Sequence, residues 1–235
     1  MNMPKEDISN RDLVSTAPEA GLPVHVTGRD LINRQTDRNE KVFQAFRDIR
    51  SQIVRRGGTK LTMVSSVVDS AGATFVSVNL ATTFAMQVGS QAIVVDCNFG
   101  EPGVGEFLGL ENEVGLSDYL LEAEKPAIRD IVQATPVRGM LAVTTGTVDD
   151  LTEHITSPRL PGFFVDLQDA YPSAHIIVDA PCTKMAADVR ILSSYCGQVI
   201  LVVPYGRATA SRVEDAKKTI DGEKLAGVVF NQQPG

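Results

Sequence analysis

The chain has 235 residues, of which 43% are apolar and 22% charged, and its formal net charge is −7 at pH 7. This length is enough for one sizeable α/β core and short for two, and the acidic balance argues against a broad nucleic-acid surface. No apolar run approaches the roughly 18 residues of a membrane span, and the first 40 residues lack the apolar core of a signal peptide. We therefore expect a cytoplasmic protein that does not insert into a membrane itself.

Residues 1–38 are polar and show no apolar periodicity, which predicts a flexible N-terminal tail. Residues 39–235 are predicted to form a single domain. Its first element is an amphipathic helix over residues 41–55, whose apolar face consists of Val42, Phe43, Phe46, Ile49 and Ile53. Arg47 and Arg50 lie one turn apart on the flank of this helix, where they are candidates for a subunit contact or for a solvated helix face.

A short apolar strand at residues 61–66 is followed by a turn of small residues and by a helix predicted over residues 74–88. Strand, loop and helix in this order are the context of a phosphate-binding P-loop, G-x-x-x-x-G-K-[ST]. Gly72 and Thr74 match that pattern, but Ala73 stands where the lysine belongs. Because this lysine stabilises the charge on the transferred phosphoryl group, efficient ATP chemistry is not expected.

The remaining sequence continues to alternate strands with helices. A buried strand ends in Asp96, a position where α/β sheets often place functional groups. Further strands are predicted at residues 140–145, 175–179, 198–203 and 225–230, and helices at residues 116–121, 157–167, 186–194 and 208–220. Six or seven strands in this alternation predict an α/β fold with a mostly parallel, doubly wound sheet and helices on both faces, as in P-loop NTPases.

Six blocks of the sequence also resemble a known family in their order and spacing. They are QAFRDIR at 44–50, TMVSS at 62–66, VVDCN at 94–98, GLSDYL at 115–120, IIVDAP at 176–181 and GVVFN at 227–231. Together they are similar to the bacterial tyrosine kinases of exopolysaccharide and capsule systems, which are related to the Min-type and ParA-type ATPases. The resemblance implies the P-loop fold predicted above.

The departures from the family pattern concern the chemical centre. Besides the lost lysine, Ser70 replaces a loop glycine, Asn98 replaces the second acid of the D-x-D segment, and Gln44 replaces the first acid of the oligomerisation helix. The family's tyrosine-rich tail has no counterpart in this sequence, where the four tyrosines are scattered. We interpret the chain as a degenerate, pseudokinase-like member.

The resemblance also assigns roles to individual residues. A vestigial nucleotide site would comprise Ser70, Gly72, Ala73, Thr74 and Asn231, and a magnesium ion would be held by Thr74, Asp96 and Asp179. No residue is assigned a catalytic role, except Asp96 as the base if the chain is active. Gln44, Arg47 and Arg50 would lie at an oligomer interface. The alternative is that Thr74 and the two acids have structural roles, as a hydroxyl at a helix start and as strand-end carboxylates near helix N-termini.

The implied function is that of a non-catalytic or weakly active cytosolic adaptor in exopolysaccharide synthesis and export. Its partner would be the cytoplasmic segment of an inner-membrane polysaccharide co-polymerase, with a homo-oligomer as a further assembly, and the chain would lie at the membrane through that partner. No cofactor would be required, with Mg-ATP or Mg-ADP as the alternative. Two other functions stay open: an active ATP-dependent protein tyrosine autokinase with an unconventional loop, and a Min-like or ParA-like positioning ATPase.

Overall fold

A computed structural model of the chain describes residues 37–121, 124–147 and 154–231. The predicted flexible tail, residues 1–38, lies outside the described residues except for its last two, which belong to the first helix. The helices are α1 (Asp37–Arg56), α2 (Ala73–Ala85), α3 (Val104–Leu108), α4 (Leu116–Leu121), α5 (Ile128–Ile131), α6 (Leu160–Ala170), α7 (Ala186–Tyr195) and α8 (Ala210–Thr219). The strands are β1 (Leu61–Ser66), β2 (Gln91–Asp96), β3 (Gln133–Ala134), β4 (Met140–Val143), β5 (Ala174–Asp179), β6 (Gln198–Pro204) and β7 (Leu225–Asn231).

The strands of the described chain form one sheet in the order β3-β4-β2-β5-β1-β6-β7. All neighbouring pairs are parallel except β3 with β4. The central strands β1 and β6 are buried along their whole length, as expected for a parallel sheet covered on both faces. The predicted α/β fold with a mostly parallel sheet is confirmed. Because parallel strands share one carboxyl edge, the loops after β1, β2, β5 and β6 meet there, beside the carboxyl end of β7.

Helix α2 is buried nearly all round, and its ten residues from Val76 to Ala85 are all buried. One side packs on β1, β2 and β5, and the other side is covered by α1. The α1–α2 contact includes an edge-to-face pair between Phe46 and Phe75, with ring centroids 6.0 Å apart, and a hydrogen bond from Arg50 Nη1 to the carbonyl of Thr83. The predicted apolar face of α1 therefore serves to complete the core above α2.

Some element boundaries differ from the sequence-based expectation. Helix α2 ends at Ala85, whereas the four-residue spacing predicted a helix to Val88, whose side chain is fully exposed. Gly89 adopts a left-handed conformation just beyond, with φ of 77°, and turns the chain into β2. The apolar character of Val88 extended the pattern without a packing partner, so the prediction was too long by three residues.

Candidate functional site

The loop between β1 and α2 passes through two residues in the left-handed region of the backbone. Ser70 and Gly72 both have positive φ, 54° and 88°, and Ser70 is the one non-glycine residue with positive φ in the described part of the chain. At Gly72 a Cβ atom would collide with the side-chain nitrogen of Asn231. Asn231 Nδ2 donates a hydrogen bond of 2.9 Å to the carbonyl of Ala71. The loop is thus held from β7, and Gly72 is required by both its φ and this close approach.

A cavity of about 1150 Å³ opens above this loop, at the carboxyl edge of the sheet. Its wall includes the five predicted nucleotide-loop residues, Ser70, Gly72, Ala73, Thr74 and Asn231. Among the described residues that line it, three carry negative charge, Asp69, Glu101 and Glu106, and one carries positive charge, Arg207. The position of the P-loop lysine contributes only the methyl group of Ala73. The wall therefore offers a poor electrostatic environment for a polyphosphate.

Asp96 ends β2 and is fully buried. Its carboxylate accepts three backbone N–H groups, from Asn98 at 3.0 Å and from Gly103 and Val104 at 2.9 Å each. Burial raises the pKa of Asp96, and the three donors oppose that rise by stabilising its ionised form. The carboxylate anchors the loop from β2 to α3, and it does not line the cavity.

Asp179 ends the neighbouring strand β5, in direct register with Asp96. It is fully buried and accepts hydrogen bonds from Thr74 Oγ1 at 2.7 Å and from Ser77 Oγ at 2.8 Å. Burial is the main cause of its raised pKa, and the negative charge of Asp96 raises the pKa further. Two carboxyl groups side by side in a dry interior cannot both be ionised cheaply, so Asp179 is the group that holds the proton.

The structure brings the predicted magnesium ligands Thr74, Asp96 and Asp179 together, but their oxygens are already engaged. The hydroxyl of Thr74 donates to Asp179, both oxygens of Asp96 accept backbone N–H groups, and neither acid reaches the cavity wall. Within residues 37–121, 124–147 and 154–231, no cluster of His, Cys, Asp and Glu side chains could hold a metal ion. Magnesium at nucleotide sites is usually held by one or two carboxylates, by substrate phosphates and by water. In this arrangement these three side chains bond to one another and to the backbone, and their role as magnesium ligands stays a prediction.

Sequence reasoning did not identify the polar cluster on the outer side of the loop. Asp69, on the cavity wall, pairs with Lys184, and Cys182 Sγ lies 2.7 Å from the other oxygen of Asp69. Arg207 Nη1 donates to the carbonyl of Ser70 at 3.2 Å. From the sequence, Lys184 and Arg207 could either reach a phosphate from another loop or be ordinary surface charges. The available signal was positional, because both residues follow strands that end at the same sheet edge as β1.

The predicted interface residues of α1 make contacts within their own chain. Gln44 Nε2 donates to Glu40 Oε1 at 2.6 Å, and Arg47 Nη1 donates to Gln44 Oε1 at 3.3 Å. Arg50 is half-buried against the end of α2. Of the three, Gln44 and Arg47 lie where a second protein could reach them, and their role at an oligomer interface stays a prediction.

Comparison with known proteins identifies the relatives of this chain. No protein-family model matches it. The putative tyrosine-protein kinase EpsB of Ralstonia solanacearum is 26% identical over 218 residues, which are 89% of this chain and 28% of EpsB. The tyrosine-protein kinase YwqD of Bacillus subtilis is 27% identical over 175 residues, which are 73% of this chain and 72% of YwqD. The chain is a relative of the bacterial tyrosine kinases.

Solved structures agree with this relationship. The chimeric protein CapA2B2 is 26% identical, and its superposition covers 97% of this chain and all of the chimera with a TM-score of 0.76. A ParA-family ATPase of Chlorobium tepidum and a MinD of Pyrococcus horikoshii, the latter solved with Mg-ADP, are more distant neighbours with TM-scores of 0.57 and 0.53. The predicted relationship to the tyrosine kinases is confirmed, and the ParA and MinD structures share the fold of this chain.

None of the described helices has both the length and the apolar character needed to cross a bilayer.

Proposed function

We propose that this relative of the exopolysaccharide and capsule tyrosine kinases is a non-catalytic adaptor that binds proteins and does not transfer phosphate. The observation that carries the proposal is the cavity wall. It has no lysine from the loop, and the two strand-end acids lie behind it with their oxygens engaged. Phosphoryl transfer depends on positive charge at the γ-phosphate, and this wall sets one arginine, Arg207, against three acids.

The tyrosines support the same conclusion. All four lie in the described part of the chain; Tyr119 and Tyr171 are buried, Tyr195 is half-buried, and Tyr205 has 52% of its surface exposed. They are distributed over four different elements or turns and form no cluster. A single exposed tyrosine is a poor counterpart of a repeated phosphorylation substrate.

The proposed partner is the cytoplasmic segment of an inner-membrane polysaccharide co-polymerase, which would place the chain in the cytoplasm, peripheral to that membrane. The proposed contact lies on the cavity face and on α1 near Arg47. Retention of the family fold without its phosphate chemistry supports a binding role, since the same surface remains available to a protein.

Phosphotransfer is tested with purified chain and Mg-ATP, with YwqD as the working control. We expect no phosphotyrosine on the unmodified chain and no calorimetric heat with Mg-ATP or Mg-ADP up to millimolar ligand. Phosphotyrosine that disappears in a Tyr205→Phe variant would contradict the proposal. It would favour the second candidate, an autokinase, which is suggested by the juxtaposition of Thr74, Asp96 and Asp179.

Adaptor binding is tested by mixing the chain with the isolated cytoplasmic segment of an inner-membrane polysaccharide co-polymerase from the same organism. We expect a complex that Arg47→Ala weakens several-fold, whereas Arg129→Ala, which removes an exposed arginine far from α1 in the sequence, leaves it unchanged. Equal affinity of the two variants would remove α1 from the interface. Absence of any complex would contradict the adaptor role.

A further inference from the structure

Three side chains join the loop after β1 to the loop after β5 at the edge of the cavity. Asp69 forms an ion pair with Lys184, and Cys182 Sγ donates to Asp69 Oδ1 at 2.7 Å. Cys182 and Asp69 both line the cavity. We call this cluster, Asp69 with Cys182 and Lys184, the latch.

The latch places a carboxylate on a loop that otherwise presents backbone to the cavity. The pairing lowers the pKa of Asp69, because Cys182 and Lys184 both donate hydrogen bonds to it, so the side chain is ionised at neutral pH. Lys184 contacts this loop through its ion pair with Asp69, and that pairing neutralises the positive charge of Lys184. The loop after β1 therefore carries an anion, and the loop after β5 supplies the cation that neutralises it.

We propose that the latch is a second barrier to phosphate ligands, separate from the loss of the loop lysine. In this proposal the negative charge of Asp69 lowers the affinity of the cavity for anions. The inference rests on the proposed non-catalytic function, and it adds Asp69 to Ala73 as a residue that disfavours phosphate binding. A phosphate approaching the loop would have to lie beside the Asp69 carboxylate or displace it from Lys184. Restoring only the lysine at position 73 would leave this competitor in place.

Charge arithmetic gives the expected order of the variants. Ala73→Lys adds one positive charge to a wall that has three negative and one positive residue. Asp69→Asn removes one negative charge and frees Lys184 from its partner. The double variant therefore differs from Ala73→Lys by the loss of one negative charge and by the release of a cation. One unit charge a few ångströms away at a protein surface changes anion affinity by about tenfold or more.

The test is a calorimetric titration of Mg-ADP and of pyrophosphate into the unmodified chain, Ala73→Lys and Ala73→Lys/Asp69→Asn. We expect the double variant to bind both ligands at least about tenfold more tightly than Ala73→Lys. Adding Lys184→Met to the double variant should remove part of that gain. As a control, Ala73→Lys/Asp215→Asn opens a more exposed Asp–Lys pair on α8, away from the cavity, and should bind like Ala73→Lys.

Equal affinity of Ala73→Lys and the double variant, or no binding by the double variant, would overturn the latch. A gain from the Asp215→Asn control as large as that from Asp69→Asn would overturn it as well. These results leave the proposed function intact, which is contradicted instead by phosphotyrosine on the unmodified chain. Circular dichroism melting curves confirm that each variant is folded before titration.

Thiol reactivity reports on the latch without any ligand. Burial and the Asp69 carboxylate raise the pKa of Cys182, whereas Cys97 and Cys196 are fully enclosed. Asp69→Asn should therefore speed alkylation of Cys182 by iodoacetamide several-fold, since the neutral amide no longer opposes the thiolate. An unchanged rate would mean that Asp69 and Cys182 do not interact in solution.

Discussion

Asp179 carries a carboxyl group in a place that water cannot reach. In the unfolded chain an aspartate has an ordinary pKa near 4, whereas burial beside Asp96 raises the pKa of Asp179 to about 8. Between these two values the folded state binds a proton that the unfolded state has released, so folding stability falls as pH rises through this window. The acid therefore destabilises the native chain at neutral pH, opposite to a salt-bridged aspartate.

An Asp179→Asn variant should abolish this pH dependence. The carboxamide oxygen of the variant can accept a hydrogen bond from the Thr74 hydroxyl, and its amino group can donate one to the Ser77 hydroxyl. The Ser77 hydroxyl remains free to accept, because it already donates to the carbonyl of Ala73. We expect the variant to gain about 3–4 kcal/mol over the native chain on going from pH 5 to pH 8, measured by urea unfolding. Asp215→Asn, at an exposed carboxylate, is the control. If the stability difference between the variant and the native chain does not change with pH, the pKa of Asp179 is not raised in the folded state.

Gly72 is a loop position at which a side chain would be both strained and in collision with Asn231. Gly72→Ala should destabilise the chain by about 1 kcal/mol more than Gly58→Ala, which has a similar φ of 92° but open space around it. The excess is the cost of displacing the Asn231 amide from the carbonyl of Ala71. Thermal unfolding measures the stability of both variants. In an Asn231→Ala background, Gly72→Ala should cost no more than Gly58→Ala costs, because only the strain of the left-handed backbone remains.

Helix α1 is the element that completes the core, because it closes the outer side of the buried helix α2. Phe46, 4% exposed and packed on Phe75, is at the centre of that contact. Phe46→Ala should cost about 3–4 kcal/mol in urea unfolding, whereas Arg47→Ala, at a half-buried side chain that bonds Gln44 on the same helix, should cost less than about 1 kcal/mol. A cost near zero for Phe46→Ala would mean that α1 detaches from α2 in solution.

The elements themselves were largely predictable from the sequence. Apolar runs such as 91–96 and 198–204 have no polar alternation because both faces of their strands are covered, and this local property is written in the residues. Helix ends were less accurate, as Val88 shows, since an apolar residue without a packing partner looks the same in sequence as a core residue.

At the scale of the whole molecule, the site was predictable only in part. The sequence indicated which residues stand at the sheet edge, and the structure brings Thr74, Asp96 and Asp179 together there. The sequence did not predict that backbone N–H groups donate to the Asp96 carboxylate, or that Asp69 pairs with Lys184, which is 115 positions further along the chain. Such pairings depend on side-chain orientation and on loop shape, which no local pattern encodes. Whether the chain is an adaptor depends on these contacts more than on its motifs.

The hydrogen bond between Asn231 and Ala71 joins residues separated by 160 positions. A ribosome adding about 5–20 residues per second needs about 8–32 s to proceed from one to the other. During that interval the loop lacks its hydrogen bond from Asn231, and once residue 204 has been added β6 has no partner on its outer side until β7 follows. A strand edge with unpaired backbone groups is a template for pairing with another chain, so the short segment between β6 and β7 sets how long the nascent chain would expose one.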